Sequence, residues 1–283
     1  MGGIPFYEEK LFIMLGCDKK MKTNHKISVL QIALSVLCGV VLAIHRRSAA
    51  SGMEMFVVAL AAAAVLLITS VLSEKTRKKL QLKPAEPDKI AFALLAAAGF
   101  LFLLAAVFFL LQQELSVSLR MILAAFCGFS GAATLLRLPQ RDSGKLAAVF
   151  ALVPVFALSF CLLTFYRSNG DNPYLSSYGY ETAVLLVTLL SVYSAVAGRF
   201  EKPHPLFRVS MCSIGSCLLV QEGCASLLLS ETVFSIPGFS IAMLVLMMAS
   251  GVLLCHGIGY PSVQVVFEDS DAEDEEDPEA QDA

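Results

Sequence analysis

Apolar residues along the chain gather into long runs that short polar stretches separate. A helix needs about 20 apolar residues to cross roughly 30 Å of hydrocarbon at 1.5 Å per residue. Eight runs approach or reach that length, so the pattern predicts an all-α fold, a polytopic transmembrane bundle of eight helices. The predicted spans are 27–44, 53–73, 90–112, 117–136, 145–165, 181–197, 206–229 and 237–256.

The composition supports a bilayer as the solvent of this chain. Hydrophobic residues make up 57% and charged residues 16% of the sequence, whereas a soluble domain has about half and about a quarter. The connections between runs are too short to form a second domain. We therefore expect one integral, multi-pass membrane domain over residues 27–257.

Positive charge predicts the orientation of the helices, because Lys and Arg in short loops stay on the cytoplasmic side. With eight spans in four hairpins and both termini in the cytoplasm, the cytoplasmic segments hold 17 of the 21 Lys and Arg residues. The exceptions are Arg46, Arg47, Arg120 and Arg167. The expected location is the cytoplasmic (plasma) membrane.

Two segments outside the membrane domain leave alternatives open. Residues 1–26 form a cytoplasmic segment, either an interfacial amphipathic helix or sequence upstream of a true start at Met21. Residues 258–283 form a cytoplasmic tail that carries ten acids and no base from Glu268 onwards, which predicts disorder. The tail either recruits a protein partner or only solvates the chain end.

The loop 74–89 contains a basic stretch, 75–83, and two prolines, Pro84 and Pro87. Such a stretch can bind anionic lipid, since each basic residue near a membrane surface contributes on the order of 1 kcal/mol. The same charges also serve as an ordinary topology signal. Beyond the lipid bilayer and these two possible contacts, the sequence indicates no partner and no nucleic acid.

No enzyme, metal site or cofactor is expected. The eight cysteines show no C-x-x-C spacing, and no helix offers two acids or two histidines one turn apart. Zinc-protease, P-loop and G-x-S-x-G patterns are missing from the sequence. An intramembrane enzyme is therefore the third and weakest functional hypothesis.

Glu222 is the residue that points most directly to function. It lies well inside the seventh predicted span, where a charge is costly and where ionisable residues mark functional sites by default. Gln221 is adjacent, and Glu54 and Arg120 fall near the same predicted depth on other helices. We expect these four residues to form an intramembrane polar site, with Arg120 as the counterion of Glu222.

Two functional hypotheses follow from this site. In the first, a transporter or permease moves a small solute past Glu222, through a cavity that the second, fourth and seventh helices enclose. In the second, the protein is a non-catalytic membrane subunit that docks partners, and Glu222 belongs to a packing pair. Pro154, in the middle of the fifth span, predicts a helix kink that serves as a gate or is only structural.

Overall fold

The computed structural model describes residues 26–46, 52–79, 89–113, 115–138, 145–170, 175–197, 200, 205–228 and 240–259. Within these ranges all regular structure is helical, in eight helices. The segments 1–25 and 260–283, which include most of the predicted amino-terminal segment and the acidic tail, lie outside the described residues. The helices are α1 Lys26–Arg46, α2 Gly52–Lys79, α3 Lys89–Leu111, α4 Val117–Leu136, α5 Lys145–Ser168, α6 Leu175–Ala197, α7 Pro205–Leu228 and α8 Ser240–Gly259.

Seven of these helices are long and apolar enough to cross a membrane. They support an integral, multi-pass membrane protein whose outer surface contacts the lipid bilayer. The remaining helix, α7, has 24 residues and is about 36 Å long, but Arg208, Gln221 and Glu222 lower its mean hydropathy. The all-α class is thus confirmed for the described residues, while the eight-span topology and its orientation stay predictions.

Two helices are longer than the sequence pattern predicts by six residues or more. The sixth was expected over 181–197, yet α6 begins at Leu175 and therefore places Glu181 in its second turn. The basic stretch 75–83 was expected in a loop, but α2 continues to Lys79, since Arg and Lys are good helix formers. Residues 80–88 lie outside the described residues.

Helices α3 to α8 form the main body of the bundle. In chain order, α3 packs on α4, α4 on α5, α5 on α6, α6 on α7 and α7 on α8, and α8 also packs on α3 and α6. Phe102, Phe109 and Phe165 are fully buried in the core of this body. Pro154 lies inside α5, where it is buried; the predicted kink remains a prediction.

Helices α1 and α2 pack on one side of this body, against α7. Contacts near residues 31, 39 and 46 of α1 fall on residues 213, 217 to 220 and 222 of α7. Helices α1 and α7 therefore run parallel, and α2 runs antiparallel to both. This arrangement places the end of α1 beside the last turns of α7 and the first turns of α6.

Close approach between helices depends on glycine at two of the helix contacts. A Cβ atom at Gly39 would lie 2.5 Å from the carbonyl oxygen of Cys217, so α1 can approach α7 only without a side chain there. Gly131 permits the same close approach between α4 and α3, because a Cβ atom there would lie 2.8 Å from the carbonyl oxygen of Gly99. Small residues commonly allow such approaches between membrane helices.

Candidate functional site

Arg46, the last residue of α1, is the counterion of Glu222. Its Nη1 atom donates hydrogen bonds to both carboxylate oxygens of Glu222, at 2.8 and 3.0 Å. The Glu222 side chain is 1% exposed and that of Arg46 is 18% exposed. Hydrogen bonds between ionised partners are roughly twice as strong as neutral ones. Glu222 is thus held as one member of a buried ion pair that joins α1 to α7.

A second carboxylate lies beside the same guanidinium. Glu181, in the second turn of α6, places Oε1 3.9 Å from Nη2 of Arg46, and it is also buried. Three helices therefore contribute one charge each, and two negative groups converge on one positive group. A buried charge is stable only with such compensation, because water no longer screens or solvates it.

Tyr180 and Gln221 extend this charged centre with neutral polar groups. The Tyr180 hydroxyl donates a 2.6 Å hydrogen bond to Oε1 of Gln221. The Gln221 side chain is 0% exposed, and its Nε2 atom has no hydrogen-bond partner among the described residues. The Tyr180 ring lies 5.9 Å from the Arg46 guanidinium carbon, a cation–π distance. We call Arg46, Tyr180, Glu181, Gln221 and Glu222 the Arg46 cluster.

A second polar cluster joins α1, α2 and α7 further along the same interface. The buried amide of Gln31 donates to Ser70 Oγ and Ser213 Oγ, both at 3.1 Å, and to Thr69 Oγ1 at 3.4 Å. Its carbonyl oxygen accepts a 3.3 Å hydrogen bond from Ser73. We call these five residues the Gln31 cluster. Each contact with α2 or α7 is an interhelical hydrogen bond, the kind that holds membrane helices together.

An apolar belt separates the two polar clusters. Leu42 of α1, Leu66 of α2 and Cys217 of α7 are nearly completely buried against one another. Ser213 and Gln221 are eight residues apart on α7, so the two clusters are about 12 Å apart along that helix. Along the axis of α7, the interface of α1 and α2 with α7 is thus first polar, then apolar and then polar again. We call it the α7 seam.

Replacing Gln31 by Leu should destabilise the protein by only about 0.6–1.7 kcal/mol, which are the average and the maximum measured for interhelical hydrogen bonds in a membrane bundle. The effect is small because Thr69 and Ser70 also donate to the carbonyl of Leu66 and keep those bonds. The measurement is the free energy of unfolding in SDS. Ser35→Ala is the control, since Ser35 bonds only within α1 among the described contacts. A loss above about 3 kcal/mol would contradict this account.

The structure brings together two of the four residues that were predicted to form the polar site. Glu222 and Gln221 lie in the Arg46 cluster. Arg120 does not: its Nη1 donates to the carbonyl of Gln112 at 3.4 Å, near the start of α4. The prediction of Arg120 as counterion is therefore wrong. Glu54 lies in the first turn of α2 and is exposed.

The prediction failed because α4 is not one of the helices that pack on α7 in the described part of the chain. Among the described residues α4 packs mainly on α3 and α5, whereas α7 packs on α2, α6, α8 and α1. The predicted enclosure of Glu222 by the second, fourth and seventh helices is therefore wrong for α4. Residues at one depth in the membrane can lie on opposite sides of a bundle.

Sequence reasoning missed Arg46, Glu181 and Tyr180. Arg46 is one of only four basic residues on the predicted outer side, and that rarity is a signal that it has a specific role. Glu181 was placed at the first position of a short predicted span, where a charge needs no explanation. Because α6 begins six residues earlier than predicted, Glu181 lies inside the helix and not at its first position.

No family model, curated protein or solved structure matches this chain. Its function therefore has to be inferred from the site alone.

Proposed function

We propose that the protein is a transporter or permease that moves a small, apolar or weakly polar solute along the α7 seam. The observation that carries this proposal is the buried Glu222, 1% exposed and held by Arg46 from a different helix. Ionisable groups inside membrane helices are expensive and usually belong to pathways for solutes or ions. In this proposal all eight helices span the membrane, with both termini in the cytoplasm.

The order of groups along the seam supports the proposal. Two polar clusters lie on either side of the apolar belt of Leu42, Leu66 and Cys217. A solute would meet hydrogen-bonding groups on both sides and a closed apolar constriction between them. Opening would separate α1 and α2 from α7 at the belt. The described conformation would then be the closed one, because the belt residues are nearly completely buried.

Cys217 provides a direct test of this proposal, since it is a native thiol in the belt and is 2% exposed. The protein in liposomes is treated with a charged, membrane-impermeant methanethiosulfonate, and modified peptides are identified by mass spectrometry. Opening of the seam admits water, so Cys217 should be modified. A minor open state populated at about 0.1–10% would give that fraction of the rate of an exposed thiol.

Cys161 of α5 is the matched control, because it is fully buried in the core of the main body. It should stay unmodified while Cys217 reacts, and the half-buried Cys224 of α7 should react faster than both. Equal resistance of Cys217 and Cys161 in the folded protein would contradict a pathway through the belt.

The alternative proposal is a non-catalytic membrane subunit that docks partner proteins. The tightly packed main body, with three fully buried phenylalanines, favours it. Its contacts would include anionic lipid at 75–83 and a basic partner at the acidic tail. The alanines at 59 and 61–64 of α2 are less favourable as a flat docking face. Ala59 and Ala63 face α6 and α7, while bulky exposed residues such as Leu60 flank the exposed Ala61 and Ala64.

A further inference from the structure

An apolar groove lies between α2, α6 and α7, next to the Arg46 cluster. Its cavity volume is about 170 Å³. Its walls include Phe56 and Ala63 of α2, Tyr180 and Val187 of α6, and its floor includes Cys217 and Leu218 of α7. The groove is open at its side, where Leu60 of α2 is 69% exposed.

The lining of the groove determines whether water or hydrocarbon occupies it. An apolar cavity of about 150 Å³ lined by Leu, Ile and Phe stays dry and binds a molecule the size of benzene. The present groove is of that size and its lining is almost entirely apolar, so water is a poor occupant. Its open side is on α2, which carries the exposed apolar face of a membrane-length helix. The surrounding medium there is lipid hydrocarbon.

The position of the groove matches one leaflet of a bilayer. From Phe56 to Leu66 its wall on α2 extends ten residues, or about 15 Å. This is half of the roughly 30 Å hydrocarbon thickness. Phe56 and Tyr180 lie in the early turns of α2 and α6 and contact each other edge to face at 5.3 Å. Helix α2 begins at Gly52, so Phe56 lies about 6 Å from its start and the groove runs from near that end of the helix to the middle of the bilayer.

We propose that this groove binds one acyl chain of a membrane phospholipid from the leaflet on the Arg46 side. The chain enters between α2 and α6, lies against the floor on α7 and ends near Leu66. Tyr180 separates it from the buried amide of Gln221. This lipid site does not depend on transport through the α7 seam.

The test uses the full chain in phosphatidylcholine liposomes that contain a phospholipid with a diazirine in the middle of one acyl chain. After irradiation, mass spectrometry locates the lipid adducts. We expect adducts on the groove floor, at Cys217 and Leu218, which are only 2% and 8% exposed. Bulk lipid reaches the exposed Leu60 but has little access to these two residues, so floor adducts require a chain inside the groove.

A matched pair of variants separates specific binding from general lipid contact. Ala63→Phe fills the groove and should cause a severalfold loss of floor adducts, with adducts at Leu60 retained. Ala64→Phe, on the exposed face of the same helix, should change neither the floor adducts nor the adducts at Leu60. Thermal unfolding followed with a thiol-reactive dye verifies that both variants fold.

Three outcomes would overturn the proposal. The first is a set of adducts confined to exposed positions such as Leu60. The second is floor adducts that persist in a folded Ala63→Phe variant. The third is protection of the floor by a second copy of the chain, seen as crosslinks between copies that Ala63→Phe abolishes. None of these outcomes depends on whether a charged thiol reagent modifies Cys217.

Discussion

Replacing Arg46 by Ala should lower the free energy of unfolding by about 3–5 kcal/mol, the cost of removing one partner from a buried ion pair. The variant removes both hydrogen bonds that Arg46 donates to the carboxylate of Glu222, which is 1% exposed and lies next to a second carboxylate on Glu181. The measurement is SDS unfolding, followed by circular dichroism because the chain contains no tryptophan. Arg46→Lys keeps the charge with a different geometry, so its loss should be smaller.

Glu222→Ala should cost less than Arg46→Ala. The guanidinium that remains is 18% exposed and still lies near Glu181, so its charge is partly compensated. Arg120→Ala is the matched control, since Arg120 lies on α4 and its described hydrogen bond is to Gln112. Surface-like substitutions of this kind usually change stability by no more than about 0.5 kcal/mol. A larger loss for Arg120→Ala than for Arg46→Ala would contradict the assigned pair.

Replacing Gly39 by Ala should destabilise the protein by about 1–3 kcal/mol, the usual cost of adding a methyl group to a well-packed interior. The new Cβ would lie 2.5 Å from the carbonyl oxygen of Cys217 and 2.7 Å from Cβ of Val220. A backbone oxygen cannot rotate away as the end of a long side chain can. Helix α1 would have to move off α7, and this movement would also weaken the ion pair of Arg46 with Glu222.

Gly223→Ala provides the control within α7. A Cβ there would have no heavy atom within 4 Å outside its own helix backbone, so no neighbour has to move. Alanine is favoured over glycine inside a helix by roughly 0.5–1 kcal/mol. The same substitution should therefore be neutral or stabilising at Gly223. Equal losses at Gly39 and Gly223, in the same unfolding measurement, would show that close packing of α1 on α7 is not the cause.

The helices could be predicted from the sequence because each apolar run is a local property of the chain. The prediction for α4, 117–136, coincides with Val117–Leu136, and the charge-free run from residue 90 gives α3, Lys89–Leu111. The errors occur at helix ends that hydrophobicity does not mark. Helix α2 continues through Arg77, Lys78 and Lys79, and α6 begins in the polar sequence around Ser176.

The contents of the candidate site could be predicted only in part. The cost of an acid within a membrane-length segment singled out Glu222 from the sequence alone. Its partner could not be found in this way, because depth in the membrane does not determine which helices are neighbours. Arg46 is closer to Glu222 than Arg120 because α1 packs parallel to α7, an arrangement that depends on the long-range contact at Gly39.

The ion pair between α1 and α7 is the centre of this account, and a double-mutant cycle tests it most directly. Free energies of unfolding are measured for Arg46→Ala, Glu222→Gln and the combined variant, and for the parallel cycle with Arg120→Ala. Residues in contact show interaction energies of about 0.5–3 kcal/mol, whereas distant residues add within about 0.3–0.5 kcal/mol. We predict that Arg46 and Glu222 couple within the first range, and that Arg120 and Glu222 are additive. Additivity of Arg46 with Glu222, together with coupling of Arg120 to Glu222, would contradict the account.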